Sequence, residues 1–318
     1  MTIVFTTSLP REGFSRLEGH TLVFPDGMTF TPESLMQKLR DADVLVSTFD
    51  YIFSADTLAY ARHLRLIANF GAGYNNLPVE WCKEHGIVVT NTPQPVIEPT
   101  AELCFALMHA VARRTAELDR RLRMQQYGGI RFGVMQNLGA TLYGKILGII
   151  GLGRIGQAVA RRAVAAGMSV IYHNRNRLPK DTETLYCARY VSLEELLGNA
   201  DFVSLNLPYT PEVYHLIDAP QLALMKSTAF LINTARGAHV NEEALATALY
   251  NKQIAGAAMD VFEHEPEINA RLLKLDNVVL SPHVGTGTWE GRLDMCHNIE
   301  DNILAFAAGN EAGMNRVI

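Results

Sequence analysis

Short apolar segments alternate with longer segments of helical periodicity along almost the whole chain. The pattern forms two series, which are separated by a proline-rich stretch at residues 91–99. Alternating strands and helices predict parallel sheets with helices on both faces. The predicted strands of the first series are 2–6, 44–47, 66–69 and 87–90. Those of the second series are 146–150, 169–173, 202–207, 229–233, 257–261 and 278–280.

The helical segments divide the chain in the same way. Residues 32–41 and 55–62 are predicted as helices in the first series, and 101 to about 126 as one long helix that opens the second. Pro93, Pro95 and Pro99 predict a stiff, non-helical connection before it. The terminal helix, about 289–308, is expected to return to the first domain. We therefore predict an α/β protein with two doubly wound parallel-sheet domains, 1–99 plus 288–318 and 100–287.

Composition narrows the functional class. Of 318 residues, 48% are hydrophobic, and 28 Lys and Arg against 33 Asp and Glu give a net charge of −5. An acidic chain is not typical of a nucleic-acid binder. The cysteines are too far apart for a metal or disulfide motif, and no segment has the length of a signal peptide core or a membrane span. We expect a cytoplasmic protein with no metal, nucleic-acid or membrane partner.

A glycine motif follows the first strand of the second series. Gly151, Gly153 and Gly156 have the GxGxxG spacing, and the helical pattern 157–166 comes next. In this strand–turn–helix context the first glycine allows a tight turn, the second lets a pyrophosphate approach, and the third lets helix and strand pack closely. The helix N-terminus then offers N–H groups to phosphates. The alternative is a tight turn that binds no ligand.

The next strand end indicates which dinucleotide is bound. NAD-binding domains usually place an acidic residue here for the ribose 2′-hydroxyl. This chain has Asn174, Arg175 and Arg177 instead, and arginines can pair with a 2′-phosphate. The sequence favours NADP(H) over NAD(H). The alternative is that the arginines lie in a solvated loop and Asn174 hydrogen-bonds an unphosphorylated ribose.

Candidate catalytic residues follow three later strands. Arg236, Glu265 and His283 lie just beyond strand ends, where open α/β sheets bind ligands. An imidazolium held by a carboxylate can protonate the alkoxide formed from a ketone, and a guanidinium can bind the adjacent carboxylate. Asp260 either hydrogen-bonds a nicotinamide carboxamide or caps the following turn. His239 and His264 are interpreted as surface residues.

Four segments that contain these residues resemble the D-isomer-specific 2-hydroxyacid dehydrogenases. They are residues 147–156, 231–237, 256–266 and 281–285. The resemblance implies a Rossmann dinucleotide-binding domain and a flavodoxin-like substrate domain. It also implies that Arg236, Glu265 and His283 are catalytic, and that the chain forms a homodimer.

The resemblance implies further ligand contacts. The residues implied to contact the cofactor are Thr100, Arg154, Ile155, Pro208, Thr234, Ala235, Asp260 and Gly285. The run 69–76 resembles the substrate loop of the family, in which the N–H groups of Ala72 and Gly73 would bind the substrate carboxylate together with Arg236. The alternative for this loop is a simple glycine turn.

Within the family, the arginine-bearing loop 172–177 resembles the glyoxylate/hydroxypyruvate reductase branch, so we expect NAD(P)H-dependent reduction of a small 2-ketoacid to the D-2-hydroxyacid. The alternative is a dinucleotide-sensing, corepressor-like protein without turnover. The chain departs from the family at Pro99, where a small residue is usual, and in 127–138, which lacks a Trp. Phe49, Tyr51 and Phe53 either line the substrate pocket or belong to the core, and Trp289 either reaches the substrate or anchors the terminal helix.

Overall fold

The structure is a computed structural model that describes residues 1–124, 130 and 133–318. The chain forms two compact units, Met1–Pro99 with Thr286–Ile318, and Thr100–Gly285. Within the described ranges, no helix combines the length and apolar character needed to cross a membrane.

The first unit contains a five-stranded parallel sheet. Its strands are β1 (Thr2–Phe5), β2 (Thr21–Val23), β3 (Val44–Ser47), β4 (Leu66–Asn69) and β5 (Val88–Thr90). Its first helices are α1 (Pro32–Leu39), α2 (Ala55–Leu58) and α3 (Val79–Glu84). The strand order β2-β1-β3-β4-β5 is that of flavodoxin-like folds. The central strands β3 and β4 are buried throughout, because helices cover both faces of the sheet.

The second unit contains a seven-stranded parallel sheet. Its strands are β6 (Ile146–Ile150), β7 (Ser169–His173), β8 (Ala188–Tyr190), β9 (Phe202–Leu205), β10 (Phe230–Asn233), β11 (Gly256–Met259) and β12 (Val278–Leu280). Its helices are α4 (Ile97–Ala112), which begins just before the unit boundary, α5 (Thr115–Met124), α6 (Arg154–Ala165), α7 (Lys180–Leu185), α8 (Leu193–Asn199), α9 (Ala219–Leu224) and α10 (Glu242–Tyr250). The strand order is β12-β11-β10-β9-β6-β7-β8. From β6 the chain adds strands first on one side of the sheet and then on the other, as in Rossmann sheets. The predicted fold class is confirmed.

The terminal helix α11 (Trp289–Ala307) belongs to the first unit. Thr288 caps it, since its side chain accepts a hydrogen bond from Gly291 N at 3.0 Å. The helix is tied to the 3₁₀ segment Arg11–Leu17 through Glu300, whose buried carboxylate accepts from Arg16 N at 2.5 Å and Nε at 2.7 Å.

Three predicted details of the helices are wrong, and the first is that α2 ends at Leu58 and not at residue 62. The long helix predicted for 101–126 ends at Ala112, and a second helix begins at Thr115; residues 125 and 126 lie outside the described residues. Arg114 breaks the helix with φ 57°, and its guanidinium pairs with Glu117 at 2.7 and 2.8 Å. The helix also begins at Ile97, inside the segment predicted as non-helical, because Pro99 falls in the first turn, where a missing N–H costs nothing.

Two short strands, β2 and β8, were not predicted. Each has three residues, lies at the edge of its sheet and is only partly buried, so neither carries a full apolar signal.

Candidate active site

The glycine loop connects β6 to α6. Gly151 has φ 96°, and a Cβ added to it would lie 2.6 Å from the Asn206 carbonyl oxygen. A Cβ on Gly156 would lie 2.3 Å from the Gly151 carbonyl oxygen, so neither position can accept a side chain. Gly153 differs, since a Cβ there would meet open space. It is also the N-cap of a twelve-residue helix, and as a glycine it has no side chain to cap the first N–H groups. The N-terminus of α6, with Arg154 and Ile155 in its first turn, is therefore accessible to an anion.

The two candidate arginines in the segment after β7 differ in their ion pairs. The Arg177 guanidinium donates to both carboxylate oxygens of buried Glu183 at 2.7 and 2.8 Å. This ion pair lowers the pKa of Glu183 to about 2. Both carboxylate oxygens of Glu183 are thus paired with Arg177, whose side chain is 57% exposed. Its contact with the cofactor stays a prediction.

Asn174 and Arg175 have different surroundings. The Asn174 side-chain oxygen accepts from Leu152 N at 2.7 Å and so links the end of β7 to the glycine loop. Arg175 is exposed and forms no ion pair with any described residue. It lies close enough to Glu212 to add to the effect of the Thr210 hydrogen bond, which lowers the pKa of that carboxyl. Of the two arginines, Arg175 is the one that has no ion pair to give up when a ligand binds.

The catalytic candidates leave the sheet at one edge. The strands β10, β11 and β12 are paired in parallel register, with Asn233 opposite Met259 and Met259 opposite Leu280. Arg236, Glu265 and His283 come from the segments that follow these three strand ends. The carboxyl ends of parallel strands meet at the same sheet edge, which is the expected position of a ligand site.

His283 and Glu265 form a direct pair. The distance from His283 Nδ1 to Glu265 Oε2 is 2.7 Å, and Glu265 Oε1 accepts from Phe262 N at 2.9 Å. Burial opposes ionisation of Glu265, but the hydrogen bond from His283 and the charges of His283 and Arg236 outweigh it and lower the pKa of Glu265. An ionised carboxylate beside the ring stabilises an imidazolium and fixes the orientation of the ring.

Asp260 holds the turn that carries His283. His283 has φ 51°, which is uncommon for a residue with a Cβ. Its N–H donates to the Asp260 carbonyl oxygen at 2.8 Å, and Asp260 Oδ1 accepts from Val284 N at 3.0 Å and from the Ser281 hydroxyl. Burial raises the pKa of Asp260, while these hydrogen bonds oppose the increase. Two roles were considered for Asp260. The structure shows that it caps a turn, namely the turn after β12, and its contact with a nicotinamide carboxamide stays a prediction.

The unit also holds two buried oxygen atoms without partners. Among the described residues, Asn206 Oδ1 and Thr234 Oγ1 are buried and accept no hydrogen bond. They follow β9 and β10 at the edge that carries Arg236 and Ala235. A Cβ on Gly285 would lie 3.5 Å from Thr100 Oγ1 and 3.3 Å from Asp260 Oδ2, so Gly285 lies close to both of these predicted cofactor contacts. Buried polar atoms are normally satisfied, and these two therefore fit a polar ligand such as a dinucleotide.

Asn206 was not among the predicted site residues. Its Nδ2 donates to Ser204 Oγ at 2.8 Å, and Ser204 Oγ lies 3.2 Å from Cys104 Sγ, so a buried polar chain ends at Asn206. The predicted strand 202–207 included Asn206, whereas β9 ends at Leu205, so the overlong strand hid this residue at a strand end.

His239 is buried, so its interpretation as a surface residue is wrong. It lies in the 3₁₀ turn Gly237–His239. This turn can pack against the Phe262 carbonyl group because Gly237 has no Cβ, which would overlap that group. Its Nδ1 is 3.1 Å from the Arg236 carbonyl oxygen, and its Nε2 is 3.3 Å from that of Pro208. Burial, and then the charge of Arg236, lower the pKa of His239 to about 4. His264 is exposed, as expected.

Arg236 itself is partly enclosed. Burial lowers the pKa of its guanidinium, against the charge of Glu265. A guanidinium stays protonated in proteins, so the site keeps a positive charge beside the His–Glu pair. Its Nη1 donates to the Ala235 carbonyl oxygen at 2.7 Å, which fixes the side chain close to its own turn.

The loop 69–76 lies in the first unit, directly after β4. Ala72 and Gly73 are half-exposed, and among the described residues their N–H groups donate to no acceptor. The carbonyl groups of the same loop are held by donors from within the unit. The loop therefore has available backbone donors, as an anion site requires.

The aromatic segment after β3 is divided between core and surface. Phe53 is buried, and Tyr51 packs on the same core cluster while its hydroxyl donates to the Phe30 carbonyl oxygen. Phe49 is 42% exposed, so of the three it is the one with surface available to a ligand. Trp289 is 64% exposed at the start of α11.

The chain is similar to known proteins over most of its length. Residues 105–285 match the family described as D-isomer specific 2-hydroxyacid dehydrogenase, NAD binding domain. A glyoxylate reductase from Thermococcus gammatolerans is 42% identical over 311 residues, which cover 96% of this chain and 93% of the relative.

Solved structures are similar over both units. The TT0316 protein from Thermus thermophilus has a TM-score of 0.92 at 37% identity, with 100% of both chains covered. An NADPH-dependent glyoxylate/hydroxypyruvate reductase from Sinorhizobium meliloti, in complex with NADP and malonate, has a TM-score of 0.84 at 29% identity. In that case 96% of this chain and 93% of the other are covered.

Proposed function

The chain belongs to the D-isomer specific 2-hydroxyacid dehydrogenase family and is an NAD(P)-dependent oxidoreductase, and from this premise we propose that it reduces glyoxylate or hydroxypyruvate with NADPH. The product would be glycolate or D-glycerate. The observation that carries the proposal is the 2.7 Å contact between His283 Nδ1 and Glu265 Oε2 at the carboxyl edge of the sheet.

The second unit would hold the dinucleotide. The glycine loop and the first turn of α6, with Arg154 and Ile155, provide N–H donors for the pyrophosphate. Thr100, Pro208, Thr234, Ala235, Asp260 and Gly285 would surround the remainder, and Asn206 Oδ1 and Thr234 Oγ1 would gain hydrogen-bond donors. When bound, the reduced nicotinamide supplies the hydride.

The preference for NADPH rests on Arg175. The segment after β7 has no acidic residue at 172–177 that would repel a 2′-phosphate, and Arg175 is exposed there. The nearby charge of Glu212 limits the positive potential, so the expected selectivity is moderate.

The residues of this chain perform the binding and the proton transfer. Arg236 binds the substrate carboxylate and polarises the adjacent carbonyl group. The N–H groups of Ala72 and Gly73 are further carboxylate donors. His283 gives a proton to the oxygen that becomes the product hydroxyl, and Glu265 stabilises the charged imidazole before that step.

A homodimer is the assembly we propose. Leu122 and Met124 on α5 are 53% and 56% exposed, and Leu138 beyond it is 57% exposed. Exposed apolar side chains of this size support a protein interface. The segment 127–138, which lacks the family's Trp, falls partly outside the described residues.

The function is tested by a kinetic panel. Glyoxylate, hydroxypyruvate, pyruvate and phenylpyruvate are each assayed with NADPH and with NADH. We expect the highest kcat/KM for one of the two smallest polar ketoacids with NADPH. No turnover of any ketoacid with either cofactor would overturn the proposal in favour of a dinucleotide-sensing protein.

A further inference from the structure

One backbone carbonyl group of the substrate loop is held by Asn91, which belongs to a hydrogen-bonded set of three asparagines. Asn91 follows β5, Asn302 lies on α11, and Asn315 lies in the terminal segment after that helix. Asn91 N donates to the Asn315 carbonyl oxygen at 3.1 Å, and Asn315 N donates to Asn302 Oδ1 at 2.8 Å. Asn302 Nδ2 donates back to the Asn91 carbonyl oxygen at 3.1 Å and closes the asparagine ring.

The asparagine ring acts on the loop through one further bond. Asn91 Nδ2 donates to the Ala72 carbonyl oxygen at 2.9 Å. The side chain of Asn302 is completely buried, so both of its hydrogen bonds are protected from water. The backbone of Asn91, from which this side chain extends, is therefore held by residues more than 200 positions further along the chain.

The neighbouring carbonyl groups are held as well. The Gly71 carbonyl oxygen accepts from Thr92 N at 3.1 Å and from Asn69 Nδ2 at 3.3 Å. Asn69 Nδ2 also donates to the Gly73 carbonyl oxygen at 2.8 Å. The Asn69 side chain is itself held, because its Oδ1 accepts from the Ser47 hydroxyl at 3.1 Å.

Peptide geometry connects these bonds to anion binding. In a planar trans peptide the C=O and the following N–H point in opposite directions. Holding the Gly71 carbonyl therefore directs the N–H of Ala72, and holding the Ala72 carbonyl directs the N–H of Gly73. Glycines flank Ala72 on both sides, and glycine accepts a wide range of backbone angles, so these peptide planes would rotate easily without the bonds. A rotated plane would present a carbonyl oxygen to an anion.

We propose that the asparagine ring of Asn91, Asn302 and Asn315 holds the Ala72 carbonyl group and thereby positions the N–H group of Gly73 for the substrate carboxylate. This inference rests on the proposed function of the loop. The three asparagines are positioning residues and do not contact the substrate. Loss of the ring should therefore weaken substrate binding more than it slows the chemical step.

The test is a double-mutant cycle on Asn91→Ala and Asn302→Ala, assayed with the preferred ketoacid and saturating NADPH. Each single variant should raise KM about tenfold and change kcat less than about threefold. Because both act through one bond to the loop, the double variant should be no worse than Asn91→Ala alone. The Kd of NADPH, measured by fluorescence, should stay unchanged in all three.

Two further variants separate positioning from general damage. Asn298→Ala removes an amide from the same helix and should leave KM unchanged. Among the described residues, the Asn298 side chain accepts only from the Asn315 side chain, at 3.1 Å. Asn302→Asp keeps the acceptor for Asn315 N but loses the donor to Asn91, so it should raise KM as Asn302→Ala does. If Asn302→Ala fails to fold, Asn91→Ala and Asn302→Asp still decide the question.

The outcomes are distinct. A wild-type KM in Asn91→Ala, or fully additive effects in the double variant, would overturn the inference and leave the proposed function intact. Absence of turnover in the wild-type protein would overturn the proposed function and this inference together.

Discussion

Two glycine-containing loops follow parallel strands in this molecule, and they are shaped by different forces. The loop 151–156 is determined by steric exclusion, since a Cβ at Gly156 would lie 2.3 Å from a backbone oxygen. The substrate loop 69–76 is open by comparison, and a Cβ at Gly71 would have its nearest neighbours at 3.7 Å. There, hydrogen bonds from asparagine side chains determine the direction of the backbone.

The difference explains how each loop can fail. A sterically determined loop tolerates no added carbon and fails abruptly. A loop held by hydrogen bonds loses its geometry in steps, because each neutral bond contributes only about 1 kcal/mol net. The comparison also explains why the first loop has a local sequence motif and the second depends on distant residues.

Among changes to the two loops, the largest effect is expected at the crowded glycine. Gly156→Ala should lower NADPH affinity about 100-fold and lower the Tm, because the new Cβ forces the loop backbone to move. Gly71→Ala should change the KM for the ketoacid less than about threefold, since it meets only ordinary contacts. Fluorescence titration measures the NADPH affinity of each variant, thermal melting its Tm, and steady-state kinetics its KM for the ketoacid.

Gly153→Ala is the control for that comparison. Its Cβ would meet open space, so the Tm should stay at the wild-type value while NADPH affinity falls. Equal losses of Tm in Gly153→Ala and Gly156→Ala would contradict the steric account of the glycine loop.

A smaller effect is expected at the end of β7. Arg175→Ala should reduce the ratio of kcat/KM for NADPH to that for NADH about tenfold, because it removes the cation available to a 2′-phosphate. Arg177→Ala is the matched control, since its guanidinium is paired with buried Glu183. It should lower the Tm and leave the cofactor ratio unchanged. A fall in the ratio for Arg177→Ala alone would reverse the two assignments.

The smallest effect concerns pH. The Arg236 carbonyl group is held by the imidazole of His239. The substrate loop is held by the side-chain amides of Asn69 and Asn91, which do not titrate. The pKa of His239 is about 4 in the folded protein, below its ordinary value of 6.5. Between pH 6.5 and 4 the unfolded chain binds a proton that the folded protein does not, so stability falls as the pH falls through this window.

His239→Gln should therefore lose less Tm than the wild type between pH 7 and pH 4.5, because glutamine does not titrate. Asn302→Gln, as an amide-for-amide change, should keep the wild-type pH dependence. Parallel pH profiles of Tm for His239→Gln and the wild type would contradict the buried, neutral state of His239.

Sequence patterns predicted the features that are encoded locally. The central strands, the spacing of Gly151, Gly153 and Gly156, and the residues after β10 and β12 all follow from apolar runs and the residue that ends them. The parallel sheet then brings those strand ends to one edge, so the His283–Glu265 pair could be anticipated. The roles of the site residues in binding and catalysis stay predictions.

The remaining features depend on tertiary contacts. The ion pair of Arg114 with Glu117 stabilises a helix break that periodicity does not reveal. Burial of His239 requires the close approach of Gly237 to Phe262, and the asparagine ring joins residues from three separate parts of the chain. None of these contacts leaves a pattern in the sequence near the residue concerned.

The central claim is that His283, held by Glu265, transfers the proton in a nicotinamide-dependent reduction. The most direct measurement compares kcat for the preferred ketoacid in His283→Ala and the wild type, with the Kd of NADPH measured on the same samples. The account predicts a kcat at least about 10³-fold lower with an unchanged Kd, in keeping with the loss of a general acid. A kcat within about tenfold of the wild type, at full cofactor occupancy, would contradict it.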